Sequence, residues 1–342
     1  MGLCTADALM ARGASVTLIE TRPGPCEGTS FSNSGMIHPS QARSWVPEQS
    51  QSQDIDAARV TVELAERSKD LLLEKTKVFG LPSRTAGCVQ IHADIEATRA
   101  AQAAYNAIGV TANIVLDAID SFGLTACQFP DDTSGDAHAF GQALAGDLEA
   151  RGAAFIYDAK DVDIRQVDDG FSVRASGEVQ TAKHLVLAAA THTVELLARL
   201  QVRMQLKPVA GAAADFALPV ETDDLPVCPV MDAQTRSALT VFDDCVRISG
   251  GWGVDHPEEL LERWRDIAPA LMLRLGQPKR IWSALRPVSP VGRPYISGTS
   301  IPNLWVNTGH GHMGWTLCAG SGELLAQMML EGREDTRFIF SG

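Results

Sequence analysis

Two stretches near the end of the chain decide the fold: Trp282-Ser-Ala-Leu-Arg-Pro-Val-Ser-Pro-Val-Gly-Arg-Pro294 and Asn303-Leu-Trp-Val-Asn-Thr-Gly-His-Gly-His-Met-Gly-Trp315. The second stretch begins as a buried strand and continues into glycines, after which Met313 to Leu330 has the pattern of a helix. Backbone N–H groups of a glycine-rich turn at a helix N-terminus can bind a group that carries negative charge. The stretch therefore predicts a strand, a binding turn and a helix.

The composition limits the classes of protein that the chain can represent. With 342 residues, 45% of them hydrophobic, it can bury the cores of about two domains. A net charge of -13 without a cluster of Lys or Arg argues against nucleic acid as a partner. The 7 cysteines are scattered and include no C-x-x-C pair, so we predict no disulfide framework and no metal site. No apolar run reaches the ~18 residues of a membrane span. We predict a cytoplasmic protein without a transmembrane segment, and peripheral contact with the inner membrane stays open.

Helices and strands alternate at both ends of the chain, and a block rich in strands lies between them. This order is typical of an α/β domain assembled from distant segments, with a second domain inserted. We predict that the first domain comprises residues 1–45, 137–203 and 280–342, and that the second comprises residues 46–136 and 204–279. In the second domain, Gln49 to Asp54 is predicted as a polar linker and Met204 to Trp252 as one antiparallel sheet.

The start of the chain holds part of a dinucleotide-binding fingerprint. Gly2 opens a helix and fits the third glycine of G-x-G-x-x-G, which lets the helix pack on the sheet. Glu20 ends the next predicted strand and fits the acid that binds a ribose hydroxyl. The first strand and the first two glycines are missing, so we expect the native gene to start further upstream. Gly2 can equally be an ordinary residue beside an initiator Met, and the segment does not separate FAD from NAD.

The chain resembles the D-amino-acid oxidase/glycine oxidase superfamily over most of its length. The resemblance rests on the two quoted stretches, on Gly320-Ser-Gly322, and on Thr29-Ser-Phe-Ser-Asn-Ser-Gly35 and Asp131-Asp-Thr-Ser-Gly-Asp136 in the family's order. The chain looks most similar to the bacterial D-amino-acid dehydrogenases of the small-subunit type. The resemblance implies an α/β fold, with a Rossmann-like FAD-binding domain that lacks its first strand and an inserted substrate domain with an antiparallel sheet.

The resemblance also implies a reaction, the FAD-dependent oxidation of a small amino acid, a D-amino acid in particular, to its imino acid. The α-hydrogen leaves as hydride to flavin N5, and the electrons pass to a quinone, a carrier or oxygen. In the family, the arginine that matches Arg286 binds the substrate carboxylate, and a guanidinium fork suits this role. The alternative is a surface salt bridge, against which the apolar neighbours Leu285, Pro287 and Val288 argue. No general base is expected, because the enzyme mainly orients and desolvates the substrate.

Cofactor contacts are implied wherever the chain matches the family's motifs. These positions are Gly2, Glu20, Arg22, Ser30, Ser32, Asn33, Gly35, Met36, Val162, Ala190, Gly309, His310, Gly311, Met313 and Gly314. The glycines of the C-terminal loop would face the flavin ring, which carries negative charge when reduced. Taken by themselves, the residues around Ser30 fit an ordinary Ser/Asn turn, and His310 and His312 fit a pair of partly buried loop histidines.

The sequence departs from the family pattern at several points. Ala190 replaces a glycine that lets the cofactor approach, and its Cβ takes up space. Val291 stands where the family often has Asp, and the stretch between Trp45 and Ala57 is short. With the first strand missing as well, we expect the chain to bind FAD weakly or not at all. Two alternatives therefore stay open: a non-catalytic paralogue that acts as an interaction subunit, and an NAD-dependent dehydrogenase, which only Gly2 and Glu20 support.

Overall fold

Helices and strands alternate along the computed structural model, which describes residues 1–46, 55–116 and 125–340. The α-helices of these residues are α1 (Gly2–Met10), α2 (Ile55–Val78), α3 (Ile95–Ala107), α4 (Ala137–Ala150), α5 (Thr193–Arg199), α6 (Glu258–Ile267), α7 (Pro269–Leu275) and α8 (Gly314–Glu331). None of these described helices is long and apolar enough to cross a membrane. The predicted linker from Gln49 to Asp54 lies outside the described residues.

The strands are short except in the middle of the chain. They are β1 (Thr17–Ile19), β2 (Met36–Ile37), β3 (Ser83–Arg84), β4 (Cys88–Ile91), β5 (Asn113–Val115), β6 (Ala126–Phe129), β7 (Thr133–Gly135), β8 (Ala154–Ile156), β9 (Asp163–Val167), β10 (Gly170–Ala175), β11 (Glu178–Ala182), β12 (Leu185–Leu187), β13 (Lys207–Ala217), β14 (Val230–Asp232), β15 (Ser237–Val241), β16 (Cys245–Gly250), β17 (Arg280–Val288), β18 (Tyr295–Gly298) and β19 (Leu304–Thr308).

The largest sheet has eight strands in the order β17-β13-β16-β15-β14-β4-β6-β5. Its neighbours are antiparallel, except that β14 and β4 run parallel. Helices α6 and α7 cover one face, where Trp264 is fully buried among the apolar side chains of the sheet. The antiparallel strands between Met204 and Trp252 confirm the sequence prediction for this block.

Smaller sheets complete the α/β arrangement. Strands β1 and β8 pair in parallel, β12 and β19 pair in parallel with β18 antiparallel to β19, and no described strand joins these two pieces. Helix α8 packs against α1 and α2 through glycines. A Cβ on Gly322 would lie 2.7 Å from the carbonyl carbon of Cys4, and one on Gly320 would lie 2.8 Å from the carbonyl oxygen of Leu64. The Gly-Ser-Gly motif is therefore required by close helix packing on both sides.

Three details of the fold were not foreseen from the sequence. Strand β17 is hydrogen-bonded along β13, so residues 280–288 belong to the same sheet as the strands of the 204–279 block, although they were assigned to the other domain. Strand β11 joins β9 and β10 as a third strand, and its mostly exposed and polar residues gave no strand signal in the sequence. Helix α7 is separate from α6, since Pro269 starts a new helix after Ala268 leaves the helical conformation.

The acidic residues of the middle motif have structural roles. The carboxylate of Asp136 accepts hydrogen bonds from the backbone N–H groups of His138 and Ala139 and thereby caps α4. Asp132 is buried and accepts from the backbone N–H and the hydroxyl of Ser40, at 3.2 and 2.6 Å. The motif therefore ties the loop after β2 to β7 and starts a helix.

Candidate functional site

A cleft lies between the large sheet and the glycine–histidine loop, which we define as Gly309 to Gly314. It encloses about 1450 Å³ of empty space, part of it open to solvent. Among the described residues that line it, the charged side chains are Arg236 and Arg286, and no Asp, Glu or Lys takes part. The cleft is therefore locally positive in a chain whose net charge is -13.

Arg286 reaches the cleft because side chains alternate in direction along β17. Ala284 and Arg286 line the cleft, whereas Leu285 between them is 49% exposed on the other face. Arg286 Nη1 donates to the carbonyl oxygens of Gly251 and Ala210, at 2.9 and 3.2 Å. Leu285, whose apolar character was used to argue that Arg286 is buried, is thus itself exposed. The half-burial of Arg286 comes from the alternation of side chains along the strand.

A glycine on the adjacent strand makes room for this guanidinium. Gly211 lies on β13, and a Cβ at this position would be 2.1 Å from Arg286 Nη1. Any larger residue there would displace the arginine. Burial lowers the pKa of Arg286 to about 10, so the side chain stays charged at neutral pH.

The glycine–histidine loop connects β19 to α8 through two residues with positive φ, +81° at Gly309 and +57° at Gly311. Glycine adopts these angles without the steric cost that other residues have. Gly314, the first residue of α8, lines the cleft, so the N-terminal end of this helix lies at its wall. Nearby, His310 Nε2 and Asn307 Oδ1 are buried without a hydrogen-bond partner in the described structure. Buried polar atoms are normally satisfied, so these two indicate a place for a bound polar group.

Three histidines beside the cleft are neutral at pH 7. Burial lowers the pKa of His38 to about 4 and the pKa of His310 to about 3, and it lowers the pKa of His312 well below its usual value. His312 Nε2 lies 2.8 Å from the carbonyl oxygen of Gln41, so this nitrogen carries the proton and donates it. The positive charge of the lining side chains therefore comes from the two arginines. No group of His, Cys, Asp and Glu side chains within the described ranges could hold a metal ion.

The structure brings many of the predicted site residues together. Those that line the cleft are Arg286, Ser30, Ser32, Asn33, Met36, Ala190, His310, Gly311 and Gly314. Gly309 and Met313 line a smaller cavity behind the loop, which shares His310 and Gly311 with the cleft.

Other predicted contact residues lie away from the cleft lining. Glu20 accepts a hydrogen bond from the backbone N–H of Arg22 at 2.9 Å, and neither side chain lines the cleft. Val162 packs in a separate core, and its carbonyl accepts from Arg199. Gly35 lies under Phe242, whose ring would be 2.6 Å from an added Cβ.

Gly2 and Ala190 stand at positions where the dinucleotide-binding pattern of the family has glycine. A Cβ on Gly2 would lie 3.9 Å from the Cβ of Ala188, an ordinary contact, so helix packing does not itself require a glycine at this position. Ala190 has a φ of +50°, the left-handed region that favours glycine, and it lines the cleft. The conformation therefore agrees with the family pattern, although the residue does not.

Sequence reasoning missed several residues of the cleft. Trp45 stacks on His312 with ring centres 3.9 Å apart, Arg236 lies beside Trp45, and Ser249 presents a buried hydroxyl without a partner in the described structure. Gly211 had a weak signal, a glycine within a run of alanines in a predicted strand. The other residues come from segments far apart in the chain, so no local pattern could have joined them.

Comparison with known proteins assigns the family. A sequence model of the FAD dependent oxidoreductases (DAO) matches residues 1–328. The chain belongs to this family. Solved structures with the same fold include L-proline dehydrogenase from P. horikoshii, with a TM-score of 0.81 and 18% identity over 97% of this chain and 91% of that one. Glycine oxidase from Geobacillus kaustophilus has a TM-score of 0.81 and 19% identity, over 98% and 93% of the two chains. Iminodiacetate oxidase from Chelativorans sp. BNC1 has a TM-score of 0.80 and 19% identity, over 99% and 96%.

The family assignment confirms the predicted fold class and makes FAD the cofactor of this oxidoreductase. The cleft fits such a group on its own observations. It has glycines with positive φ, the start of a helix at its wall, and buried polar atoms that lack partners. Ala190 is the position that fits least well, since it adds a Cβ where the backbone conformation suits glycine.

Proposed function

We propose that this FAD-dependent oxidoreductase oxidises a small amino acid, a D-amino acid in particular, to its imino acid. Bound FAD supplies the acceptor for the hydride that leaves the α-carbon, and the amine loses a proton as the C=N bond forms. The names of the similar structures, L-proline dehydrogenase, glycine oxidase and iminodiacetate oxidase, support an amino-acid substrate in general.

The position of Arg286 carries this proposal. Its Nη1 is held by two backbone carbonyls, while no described residue accepts a hydrogen bond from its Nε or Nη2. These two nitrogens suit a substrate carboxylate, which accepts two parallel hydrogen bonds from a guanidinium. We therefore assign the α-carboxylate to Arg286, and we assign orientation of the α-carbon toward the glycine–histidine loop to this contact.

Two loops are proposed to hold the cofactor. The glycine–histidine loop would contribute backbone N–H groups and the start of α8. The loop around Ser30, Ser32 and Asn33 lines the cleft and would contribute hydroxyl and amide groups. In this proposal the large sheet supplies the substrate contacts, and the parallel strands with α1 and α8 supply the cofactor contacts.

The charge of the cleft helps the proposed oxidation. Two arginines without an acid disfavour a protonated amine near them and so favour the neutral amine. A neutral amine has the lone pair that forms the C=N bond as the hydride leaves. The described residues thus prepare the substrate by charge and orientation, without a dedicated general base.

Anaerobic mixing tests the function. The purified 342-residue protein is saturated with FAD and mixed with glycine, sarcosine, proline and both enantiomers of alanine and of aspartate, while the visible absorbance of the flavin is followed. We expect bleaching by at least one of them, with D-alanine faster than L-alanine. If FAD binds and no amino acid bleaches it, the proposal is wrong and the non-catalytic alternative gains support. Reoxidation by air, by a quinone or only by a dye then identifies the electron acceptor.

A further inference from the structure

A second arginine, Arg236, lines the same cleft without an acidic partner among the described residues. It directly precedes β15, and its Nη1 donates to the carbonyl oxygen of Trp45 at 3.0 Å. Its guanidinium carbon lies 5.3 Å from the ring centre of Trp45 and 5.6 Å from that of Trp252. Burial lowers the pKa of Arg236, as expected for a cation that has lost part of its hydration.

Gly251 links the two arginines of the cleft. Its N–H donates to the carbonyl oxygen of Arg236 at 3.1 Å, and its own carbonyl accepts from Arg286 Nη1 at 2.9 Å. Both arginines line the same cleft as His312, and Arg236 lies over the Trp45 ring that stacks on this histidine. Two cations in one partly buried cleft repel each other, and an anion between them relieves that repulsion.

Contacts with aromatic rings do not replace an acidic partner for Arg236. Arg247 also lies over aromatic rings, 4.9 Å from Trp282 and 5.0 Å from Phe242, yet it has a carboxylate partner in Asp215. The attraction of a cation to an aromatic ring is weaker than the cost of removing an ion from water. An anionic ligand would offset the difference at Arg236.

We propose that the site takes a dicarboxylic amino acid, whose α-carboxylate binds Arg286 and whose second carboxylate binds Arg236. The inference rests on the proposed function, because it assigns a further contact of the same substrate. It makes Arg236 a specificity-determining residue, and the stacked rings of Trp45 and His312 form the wall beside the second carboxylate.

Ligand binding tests this assignment without turnover. Glutarate and succinate carry two carboxylates, and butyrate and propionate are their monocarboxylate counterparts. Quenching of tryptophan fluorescence, which includes Trp45 and Trp252, reports binding to the FAD-loaded protein. We expect the dicarboxylates to bind at least 10-fold more tightly than the monocarboxylates, on the order expected for one charge-assisted contact. Arg236→Gln should abolish this difference and change butyrate affinity less than 3-fold.

A matched control separates the role of Arg236 from loss of charge alone. Arg280 is an exposed arginine that also lies over aromatic rings, outside the cleft lining, and Arg280→Gln should leave both ligand classes unchanged. The inference is overturned if dicarboxylates bind no more tightly than monocarboxylates, or if Arg236→Gln weakens both classes equally.

Turnover by the wild-type protein keeps the inference testable even if Arg236→Gln does not fold. Flavin reduction is measured with aspartate, glutamate and iminodiacetate against alanine, glycine and sarcosine, and we expect a kcat/KM at least 10-fold higher for the dicarboxylic set. If the neutral amino acids react faster, the inference fails and the proposed function stands. If no amino acid reduces the flavin, the proposed function fails, and tight dicarboxylate binding would still show two anion contacts.

Discussion

The two ends of β13 each face an arginine, and the two arginines differ. Near one end, Asp215 pairs with Arg247 of β16 through two hydrogen bonds of 2.7 and 3.0 Å, and each side chain is only 11% exposed. Near the other end, Gly211 makes room for Arg286 of β17, which has backbone carbonyls as its only described acceptors. One sheet therefore contains a compensated cation and an uncompensated one.

This difference separates a structural arginine from one available to a ligand. Burial opposes the charge of Arg247, but the hydrogen bonds and charge of Asp215, together with the neighbouring Cys245 and Asp136, outweigh it and raise the pKa of that arginine. At Arg286 burial acts alone and lowers the pKa to about 10. A charge whose desolvation is not offset by the fold can be offset by a bound anion. The contrast predicts that one end of β13 matters for stability and the other for binding.

Removing the uncompensated cation should have the largest effect. Arg286→Gln should lower kcat/KM for the amino-acid substrate by about 1,000-fold, because a carboxylate loses its paired charged hydrogen bonds. The free energy of unfolding should stay the same or rise, since a desolvated cation is removed. Stopped-flow flavin reduction and urea unfolding measure the two quantities, with Arg280→Gln on the same strand as control. A folded Arg286→Gln protein with wild-type kcat/KM would contradict the assignment.

Removing the acid of the Asp215–Arg247 pair should lower stability and leave ligand binding nearly unchanged. Asp215→Asn leaves Arg247 buried without a counter-charge, so the free energy of unfolding should fall by about 3 kcal/mol. Butyrate affinity should change less than 3-fold in the folded protein. Asp244→Asn, an exposed acid in the adjacent hairpin, serves as the control and should change stability by less than about 0.5 kcal/mol. If Asp215→Asn lowers the free energy of unfolding no more than Asp244→Asn does, the Asp215–Arg247 pair has no special role in stability.

Gly211→Ala tests whether the space beside Arg286 matters. The new Cβ would lie 2.1 Å from Nη1 of the arginine, so the guanidinium should move away from the carbonyls of Ala210 and Gly251 that hold it. We expect a loss of about 10- to 100-fold in kcat/KM, as for a misplaced substrate contact. Gly298→Ala, in β18, is the matched control because its Cβ would meet Trp305 at 3.5 Å, an ordinary contact. Equal activity of the two variants would show that Arg286 tolerates displacement.

The buried acids Asp215 and Asp132 differ in the same way as the two arginines, since only one of them has a partner of opposite charge. Unlike Asp215, Asp132 is buried without an arginine, and burial raises its pKa to about 7 despite the hydrogen bonds from Ser40. The folded state then holds a proton that the unfolded chain releases near pH 4. The stabilisation is complete below pH 4 and is lost as pH rises to about 7, with a slope of up to about 1.4 kcal/mol per pH unit. Asp132→Asn should remove this slope in urea titrations, whereas Asp131→Asn, its exposed neighbour, should retain it.

The smallest effect concerns the backbone on the cofactor side. Ala190 has a φ of +50°, which costs about 1 kcal/mol in a residue with a Cβ. Ala190→Gly should therefore raise the free energy of unfolding by about 0.5 kcal/mol after the entropy of glycine is included. Ala189, with a φ of -89°, gives the control of opposite sign, and Ala189→Gly should lower stability. Thermal unfolding with and without FAD also shows whether the added space improves cofactor binding.

Features that depend on residues close together in the chain were predicted correctly, whereas features that depend on distant residues were not. The C-terminal helix α8 was predicted, because helix periodicity acts over a few residues. The pairing of β17 with β13 was not predicted, because it depends on residues about 70 positions away in the chain. Within the site, Arg286 and the glycine–histidine loop were predicted from contiguous motifs.

By itself, the sequence determined the family and most of the order of helices and strands, and it predicted a carboxylate-binding arginine at position 286. Only the tertiary structure decided which arginines lack an acid, because compensation depends on charges brought together from distant segments, as Asp215 is brought to Arg247. It also decided that Arg236 shares a cleft with Arg286 through Gly251. The physical reason is that helix periodicity and strand alternation are local, whereas the electrostatic energy of a buried charge depends on everything packed around it.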